Sequence, residues 1–237
     1  MKKFFVVLFL SMMCVLPFGV DALESNSYTT LRGVTVEKSL YDKMCNMYSV
    51  NFVETLSQEE FDNLSANIDT AVKETYIDYG NARGSYLSTA VKALNMIKSG
   101  DYVTFFASWL QQPNIHSFDV MAIRLSGCSL VGEFSFKQTY ISSGNLYYVY
   151  NGINKTFYNG FGSSALLQYG EDNEYSMTFK VSGSGTVYGS YQHAKSTVSQ
   201  SESQSYVIGA GGYGNVIVFG TNVASRYDQM PGVDINV

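Results

Sequence analysis

Apolar residues recur at every fourth position in the first regularly patterned part of the chain. These residues are Leu40, Met44, Tyr48, Phe52 and Leu56. The spacing places them on one stripe of an amphipathic helix. Ser57 and Glu60 then have the spacing of a capping box, so a second, short helix is predicted to start at Gln58.

After about Ala71 the pattern changes to one typical of β-strands. The segments "VKETYIDY", "YVTFFASWL" and "FDVMAIRL" alternate or are dense in β-branched and aromatic residues. The segment "YLSTAVKALNMIK" fits a helix or a strand, and the turn signal Ser99-Gly100-Asp101 after it favours a strand. Turn signals such as Asn151-Gly152 and Asn159-Gly160 then separate short strands, which is typical of an antiparallel sandwich or barrel.

The segment Phe118 to Leu125 is apolar on both of its faces, because Val120 and Ala122 alternate with Met121 and Ile123. Such a strand should be covered on both sides. A second sheet would cover one side, and the amphipathic helix would cover the other. The predicted fold class is therefore α+β, a mainly antiparallel β-sandwich at 71–237 with an N-terminal helical segment, 39–70, packed on it.

The N-terminus has the pattern of a secretory signal peptide. Two lysines precede an apolar run that ends in Val20-Asp21-Ala22. We expect cleavage after Ala22, with a polar tether at 23–38, a secreted location, and no integral membrane span in the mature chain. Cys45 and Cys128 remain after cleavage, and a disulfide and two separate thiols are both open at this point.

Composition excludes one class of partner. The full chain has a net charge of −5 and contains no cluster of lysine or arginine, so binding to nucleic acid is not expected. The sequence leaves the oligomeric state open.

The sequence contains no recognised motif for catalysis, metal binding or cofactor binding. The glycine-rich segment 209–214 is followed by a predicted strand rather than a helix, which favours a hairpin turn over a phosphate-binding loop. His116 and His193 are the only histidines, and the sequence cannot place them together. No metal site, cofactor or catalytic residue is predicted.

Tyrosines are concentrated in the β-hairpins of the second half. A tyrosine has a flat apolar body and a polar tip, which suits contact with sugars or proteins. In an adjacent pair such as Tyr147-Tyr148, one ring must point outward on a half-buried sheet. The candidate ligand-binding residues are His116, Asp119, Arg124, Tyr147, Tyr148, Tyr191 and His193.

Two blocks of the sequence, "WLQQPNIHSFDVMAIR" and "GGYGNVIVFGTNVASRYDQMPGVDINV", carry a resemblance. Behind a signal peptide and a helical segment, they resemble uncharacterised secreted β-rich proteins of Gram-positive bacteria. The resemblance implies a bacterial, extracellular setting and transfers no catalytic residue.

The leading functional hypothesis is a secreted, non-enzymatic binding or surface-interaction protein. Its ligand would be a glycan, or a cell-wall or host protein, bound through the tyrosine-rich hairpins. One alternative is a β-pore-forming toxin, because four apolar residues alternate with polar ones as in a membrane hairpin. These residues are Tyr175, Met177, Phe179 and Val181. The other alternative is an extracellular hydrolase that uses His116 or His193.

Overall fold

The structure is a computed structural model, and it describes residues 26–78, 92–210, 216–228 and 232–237. The strands are β1 (Ser27–Thr29), β2 (Thr35–Glu37), β3 (Val72–Asp78), β4 (Lys92–Ser99), β5 (Tyr102–Trp109), β6 (Phe118–Ser142), β7 (Asn145–Val149), β8 (Ile153–Phe157), β9 (Gly160–Leu166), β10 (Glu171–Gln192), β11 (Val207–Ile208), β12 (Ile217–Val218) and β13 (Val233–Asn236). The α-helices are α1 (Lys38–Met47), α2 (Val50–Glu54), α3 (Gln58–Ser65), α4 (Gln200–Ser203) and α5 (Thr221–Ala224), with a 3-10 turn at Ile68–Thr70.

The two longest strands, β6 and β10, pair with each other in antiparallel register and pass through two layers. In the first layer, the start of β10 also pairs with β5, and the end of β6 pairs with β7. In the second layer, the end of β10 pairs with β13, and the start of β6 pairs with β9. The register of the two strands shifts between Gly183 and Thr186, and such bulges bend a strand. The mainly antiparallel β-architecture predicted from the sequence is confirmed.

The two layers pack face to face around one apolar core. Met96 and Phe105 of the first layer and Met121 and Phe161 of the second belong to the same buried cluster. The layers approach closely at Gly189, where an added Cβ would lie 2.6 Å from Met96 Cε. The four alternating residues considered for a membrane hairpin are buried in β10 and line this core. Packing between the layers therefore explains their pattern.

Different segments contact the outer faces of the two layers. Phe106 and Ile97 of the first layer pack in a cluster with residues of α1, α2 and α3. Val120 and Ala122 of the second layer pack with residues of the segment 194–227. The segment Phe118 to Leu125 is thus covered on both sides, as predicted, but its outer cover comes from the C-terminal part of the chain and not from the amphipathic helix. This difference arises because the start of β6 lies in the second layer.

The predicted long helix is divided in two. The helix α1 ends at Met47, and Ser49 accepts a hydrogen bond from the Phe52 amide to cap α2. A serine in this position offers its side-chain oxygen to the free amides of a helix start, which favours a new helix. The predicted capping box of Ser57 and Glu60 is present at the start of α3.

Several further predictions concern short segments. Lys92–Ser99 is a strand followed by a turn at Gly100, as favoured from the sequence. The strands β11 and β12 pair as an antiparallel hairpin around the glycine-rich segment, whose residues 211–215 lie outside the described residues. The predicted signal peptide, 1–22, also lies outside them. Where the sequence predicts a polar tether, β1 and β2 form a small hairpin.

The two cysteines do not form the disulfide considered from the sequence. Cys45 lies in α1 and packs against the cluster of the helical segment, whereas Cys128 packs against the core between the layers, and both are free thiols. The pKa of each thiol is raised by burial. Among the described residues, no helix is long and apolar enough to cross a membrane.

Candidate functional site

Three of the candidate residues meet around the carboxylate of Asp119. The Tyr191 hydroxyl donates a short hydrogen bond to Asp119 Oδ2. His193 Nδ1 lies 2.9 Å from Asp119 Oδ1, and the Ala194 amide donates to the same oxygen at 2.9 Å. The antiparallel register explains this convergence, because Val120 pairs with Gln192 and Asp119 therefore lies beside the next residue of the partner strand.

A second carboxylate, that of Asp228, contacts the backbone of His193. Asp228 Oδ2 accepts a hydrogen bond from Lys92 Nζ at 2.6 Å, and Oδ1 accepts one from the His193 amide at 2.7 Å. We call Lys92, Asp119, Tyr191, His193 and Asp228 the polar cluster. Aromatic rings enclose it: Trp109 packs edge-on against the His193 ring and lies 5.0 Å from Lys92 Nζ.

The polar cluster is sealed by its own packing, since each of its side chains is at most 2% exposed. Burial raises the pKa of Tyr191 well above the usual tyrosine value, so this hydroxyl stays protonated and donates to Asp119. A hydrolytic triad would require a nucleophile on the histidine. Among the described residues, no serine, threonine or cysteine hydrogen-bonds to His193. The geometry therefore supports a structural role more than hydrolysis.

The other candidate residues lie apart from this cluster. The His116 ring stacks on Tyr169 with 4.0 Å between ring centroids, so the two histidines have different partners. The Arg124 guanidinium lies 4.1 Å from the centre of the Tyr188 ring.

The adjacent tyrosines Tyr147 and Tyr148 face different surroundings. Tyr147 is exposed and stacks on Tyr140, whereas Tyr148 is half-buried and lies under the guanidinium of Arg32 at 5.4 Å. One ring of the pair therefore points outward, and the other packs against Arg32.

An open groove lies between the helical segment and the first layer, with a cavity volume of about 520 Å³. We call this cavity the groove. Its lining residues are Arg32, Leu56, Ser57, Glu59, Glu60, Asn63, Leu64, Tyr102, Val131, Glu133, Ser135, Tyr150, Thr178, Phe179 and Lys180.

Arg32 makes polar contacts with two other residues of the groove. Its guanidinium donates to the Tyr150 hydroxyl at 3.3 Å and lies 3.8 Å from Glu60. Tyr150 is 54% exposed, and Val131, which also lines the groove, is 41% exposed. Accessible aromatic, aliphatic and charged groups are thus combined in one concave surface, which is the usual composition of a binding site.

Sequence reasoning missed both Lys92 and Asp228 of the polar cluster and Arg32 of the groove. A lysine within the apolar segment "AVKALNMI" is a weak signal of a buried charge. Arg32 lies in the segment predicted to be a tether, where nothing in the local pattern indicates a site. Among the described residues, no group of histidine, cysteine and acidic side chains has the arrangement of a metal site.

No protein-family model and no curated protein matches the sequence. Three solved structures show partial similarity. The collagen-binding subdomain of the Enterococcus faecalis surface protein ACE is 13% identical over 40% of this chain and 77% of its own, with a TM-score of 0.31. The KRT10-binding region domain of the pneumococcal serine-rich repeat protein PsrP is 11% identical over 51% of this chain and 87% of its own, with a TM-score of 0.31.

The third is the collagen-binding domain of the Erysipelothrix rhusiopathiae surface protein RspB. It is 8% identical over 70% of this chain and 56% of its own, with a TM-score of 0.33. All three are surface-adhesin domains of Gram-positive bacteria. These values describe partial similarity, and no family membership follows from them.

Proposed function

We propose that this chain is a secreted binding protein that recognises an extracellular glycan or protein in the groove. The observation that carries the proposal is the arrangement at Arg32, where a guanidinium, an exposed tyrosine ring and an exposed valine share one concave surface. Arginine and tyrosine contribute strongly to binding, because each combines a flat contact surface with hydrogen-bond donors. The proposal includes export by the N-terminal segment 1–22.

The groove is favoured over the polar cluster for a physical reason. A ligand must reach the side chains that bind it, and the side chains of the polar cluster are almost fully buried. In contrast, Tyr150 and Val131 present accessible surface at the groove. The Arg32 guanidinium is already held by Tyr150 and Glu60, so a ligand would meet a partly pre-organised site.

The groove is lined by charges of both signs. Arg32 lies beside Glu60, and Glu133 and Lys180 also line the cavity. Mixed charges of this kind suit a ligand with both hydrogen-bond donors and acceptors, such as a sugar or a polypeptide backbone. They do not suit a polyanion, whose binding requires clustered positive charge.

The test is retention on a panel of immobilised glycans, peptidoglycan and extracellular matrix proteins. We expect the purified mature protein to retain at least one of these probes. Arg32→Ala and Tyr150→Ala should each weaken binding about tenfold or more, which corresponds to about 1.4 kcal/mol. Tyr158→Ala is the matched control, because Tyr158 is fully exposed and lies outside the groove.

Two results would contradict the proposal. The first is that no probe of the panel is retained. The second is that Tyr158→Ala weakens binding as much as Tyr150→Ala does, because the exposed tyrosines would then act together and not through the groove.

A further inference from the structure

The ion pair between Lys92 and Asp228 differs from the other lysine and arginine ion pairs of the described residues. The two side chains are 0% and 2% exposed. In the other such pairs, each side chain is at least 28% exposed. A surface pair is solvated and can separate, whereas this pair is held in contact by the protein around it.

The protein around the pair excludes water from it. Lys92 Nζ lies 5.0 Å from the centre of the Trp109 ring and 5.4 Å from that of Tyr191. Removing an ammonium and a carboxylate from water costs several kcal/mol for each ion, and the attraction between them offsets this cost only partly. A proton passed from the ammonium to the carboxylate along their hydrogen bond produces a neutral amine beside a carboxylic acid.

The geometry then favours a reaction between the two groups. Lys92 Nζ lies 2.6 Å from Asp228 Oδ2, and the carbon atom Cγ is one bond beyond this oxygen. The other oxygen, Oδ1, accepts a hydrogen bond from the His193 amide at 2.7 Å. A fixed amide donor in this position polarises the carboxyl group and stabilises negative charge that develops on Oδ1 during attack.

We propose that Lys92 and Asp228 condense to form an amide bond between their side chains. The nitrogen Nζ attacks Cγ, and the new C–N bond forms while the bond from Cγ to Oδ2 breaks. Two protons of the original ammonium leave with Oδ2 as one water molecule. No oxidant, reductant or activating co-reactant is needed, because holding the groups in contact replaces a collision between two molecules.

The cross-link would join distant parts of the chain. Residue 92 begins β4, and residue 228 follows α5, so most of the described sandwich lies between the two ends of the bond. A covalent link that closes a long loop stabilises the folded state by restricting the unfolded chain. Cys45 and Cys128 are free thiols, so this amide would supply the covalent link that a disulfide otherwise provides, and it would also remove two buried charges.

The experiment is mass spectrometry of the intact, folded protein together with peptide mapping. We expect the mass to be lower than that of the sequence by one water molecule. A digest should contain a branched peptide in which the segment around Lys92 is joined to the segment around Asp228. Trypsin should not cleave after Lys92, because its side chain is no longer a free cation.

Peptide mapping is essential, since an aspartate that cyclises to a succinimide also loses one water. A loss of water that maps to a linear peptide would overturn the proposal. A folded wild-type protein that keeps its full mass after prolonged incubation would also overturn it.

Two lysine variants complete the test. Lys92→Arg keeps a positive charge but has no amine that can condense in this way, so it should keep the full mass. Lys155→Arg is the matched control, because Lys155 is also held by a hydrogen bond, to Gln204 O. Like the wild type, this variant should lose one water molecule. If Lys92→Arg fails to fold, the branched peptide of the wild type still decides the question.

Discussion

Ser49 and Glu174 are joined across the contact between the helical segment and the first layer. Ser49 Oγ donates to Glu174 Oε1 at 2.5 Å, and Ser108 of β5 donates to the other carboxylate oxygen at 2.7 Å. Ser49 also caps α2, so one buried carboxylate connects the start of a helix to two strands. This contact ties the segment that lines the groove to the sandwich.

The first prediction concerns the pH dependence of this contact. Burial raises the pKa of Glu174 above its ordinary value of 4.5, and the two serine hydrogen bonds lower it less. The folded state therefore takes up this proton at higher pH than the unfolded state does. The contribution of Glu174 to the free energy of unfolding should rise as the pH falls from the raised pKa to the ordinary value, and stay constant below it.

This contribution is measured by urea unfolding of the wild type and of Glu174→Gln across that pH range. The glutamine keeps the shape and does not titrate, so the difference between the two proteins isolates the carboxyl group. A difference that decreases on acidification would show that the serine hydrogen bonds outweigh burial.

The second prediction concerns Lys137. Its ammonium is buried, donates to Thr55 O at 3.2 Å and lies 4.4 Å from the centre of the Phe52 ring. Burial lowers the pKa of Lys137 to about 8. Between this value and the ordinary 10.5, the unfolded state binds more protons than the folded state, so stability should rise with pH in this window and be constant below it.

The full change should be up to about 3 kcal/mol, since one pKa unit corresponds to about 1.4 kcal/mol. Unfolding of the wild type and of Lys137→Met over this pH range is the measurement, and the difference between them cancels the other titrating groups. If the difference does not depend on pH, the ammonium is solvated in the folded protein.

The third prediction concerns the close approach of β6 and β9. A Cβ added at Gly160 would lie 2.1 Å from the carbonyl oxygen of Ile123. Because this is a backbone atom of a paired strand, it cannot move aside, and we expect Gly160→Ala to cost about 3 kcal/mol or more. Gly220→Ala is the control: nothing lies within 4 Å, and its φ is −62°. Equal thermal stability of the two variants would contradict the strand pairing.

The fourth prediction concerns Asp119. Replacement by alanine leaves the Tyr191 hydroxyl, the His193 ring and the Ala194 amide without their shared acceptor. We expect Asp119→Ala to lower the free energy of unfolding by about 3 kcal/mol or more. Asp101→Ala removes only an exposed carboxylate 3.8 Å from Lys180, and should change stability by less than about 1 kcal/mol. A similar effect of both variants in urea unfolding would show that the polar cluster is not a structural element.

The sequence was sufficient for the antiparallel strands and their turns, because these depend on alternation and turn residues that lie close together. It also predicted that Phe118 to Leu125 is covered on both sides. It could not identify the cover, since Val120 is equally well buried by a helix or by the segment 194–227. That choice depends on the layer to which each half of β6 belongs.

For the candidate site, the sequence likewise predicted some of the residues but not their arrangement. Asp119, Tyr191 and His193 were named from the sequence, but their meeting depends on the register of β6 and β10, which no local pattern determines. Lys92 and Arg32 were missed for a related reason. The residues next to a single charged residue in a strand or short hairpin do not indicate which distant residue it will contact.

The central claim is that ligands bind in the groove. The most direct test is hydrogen–deuterium exchange of the wild-type protein with and without a probe retained from the panel. We expect slower exchange in the segments that line the groove, around Arg32, at the start of α3 and near Val131 and Tyr150. Protection that leaves these segments unchanged and appears instead at the exposed hairpin around Tyr158 would contradict the claim.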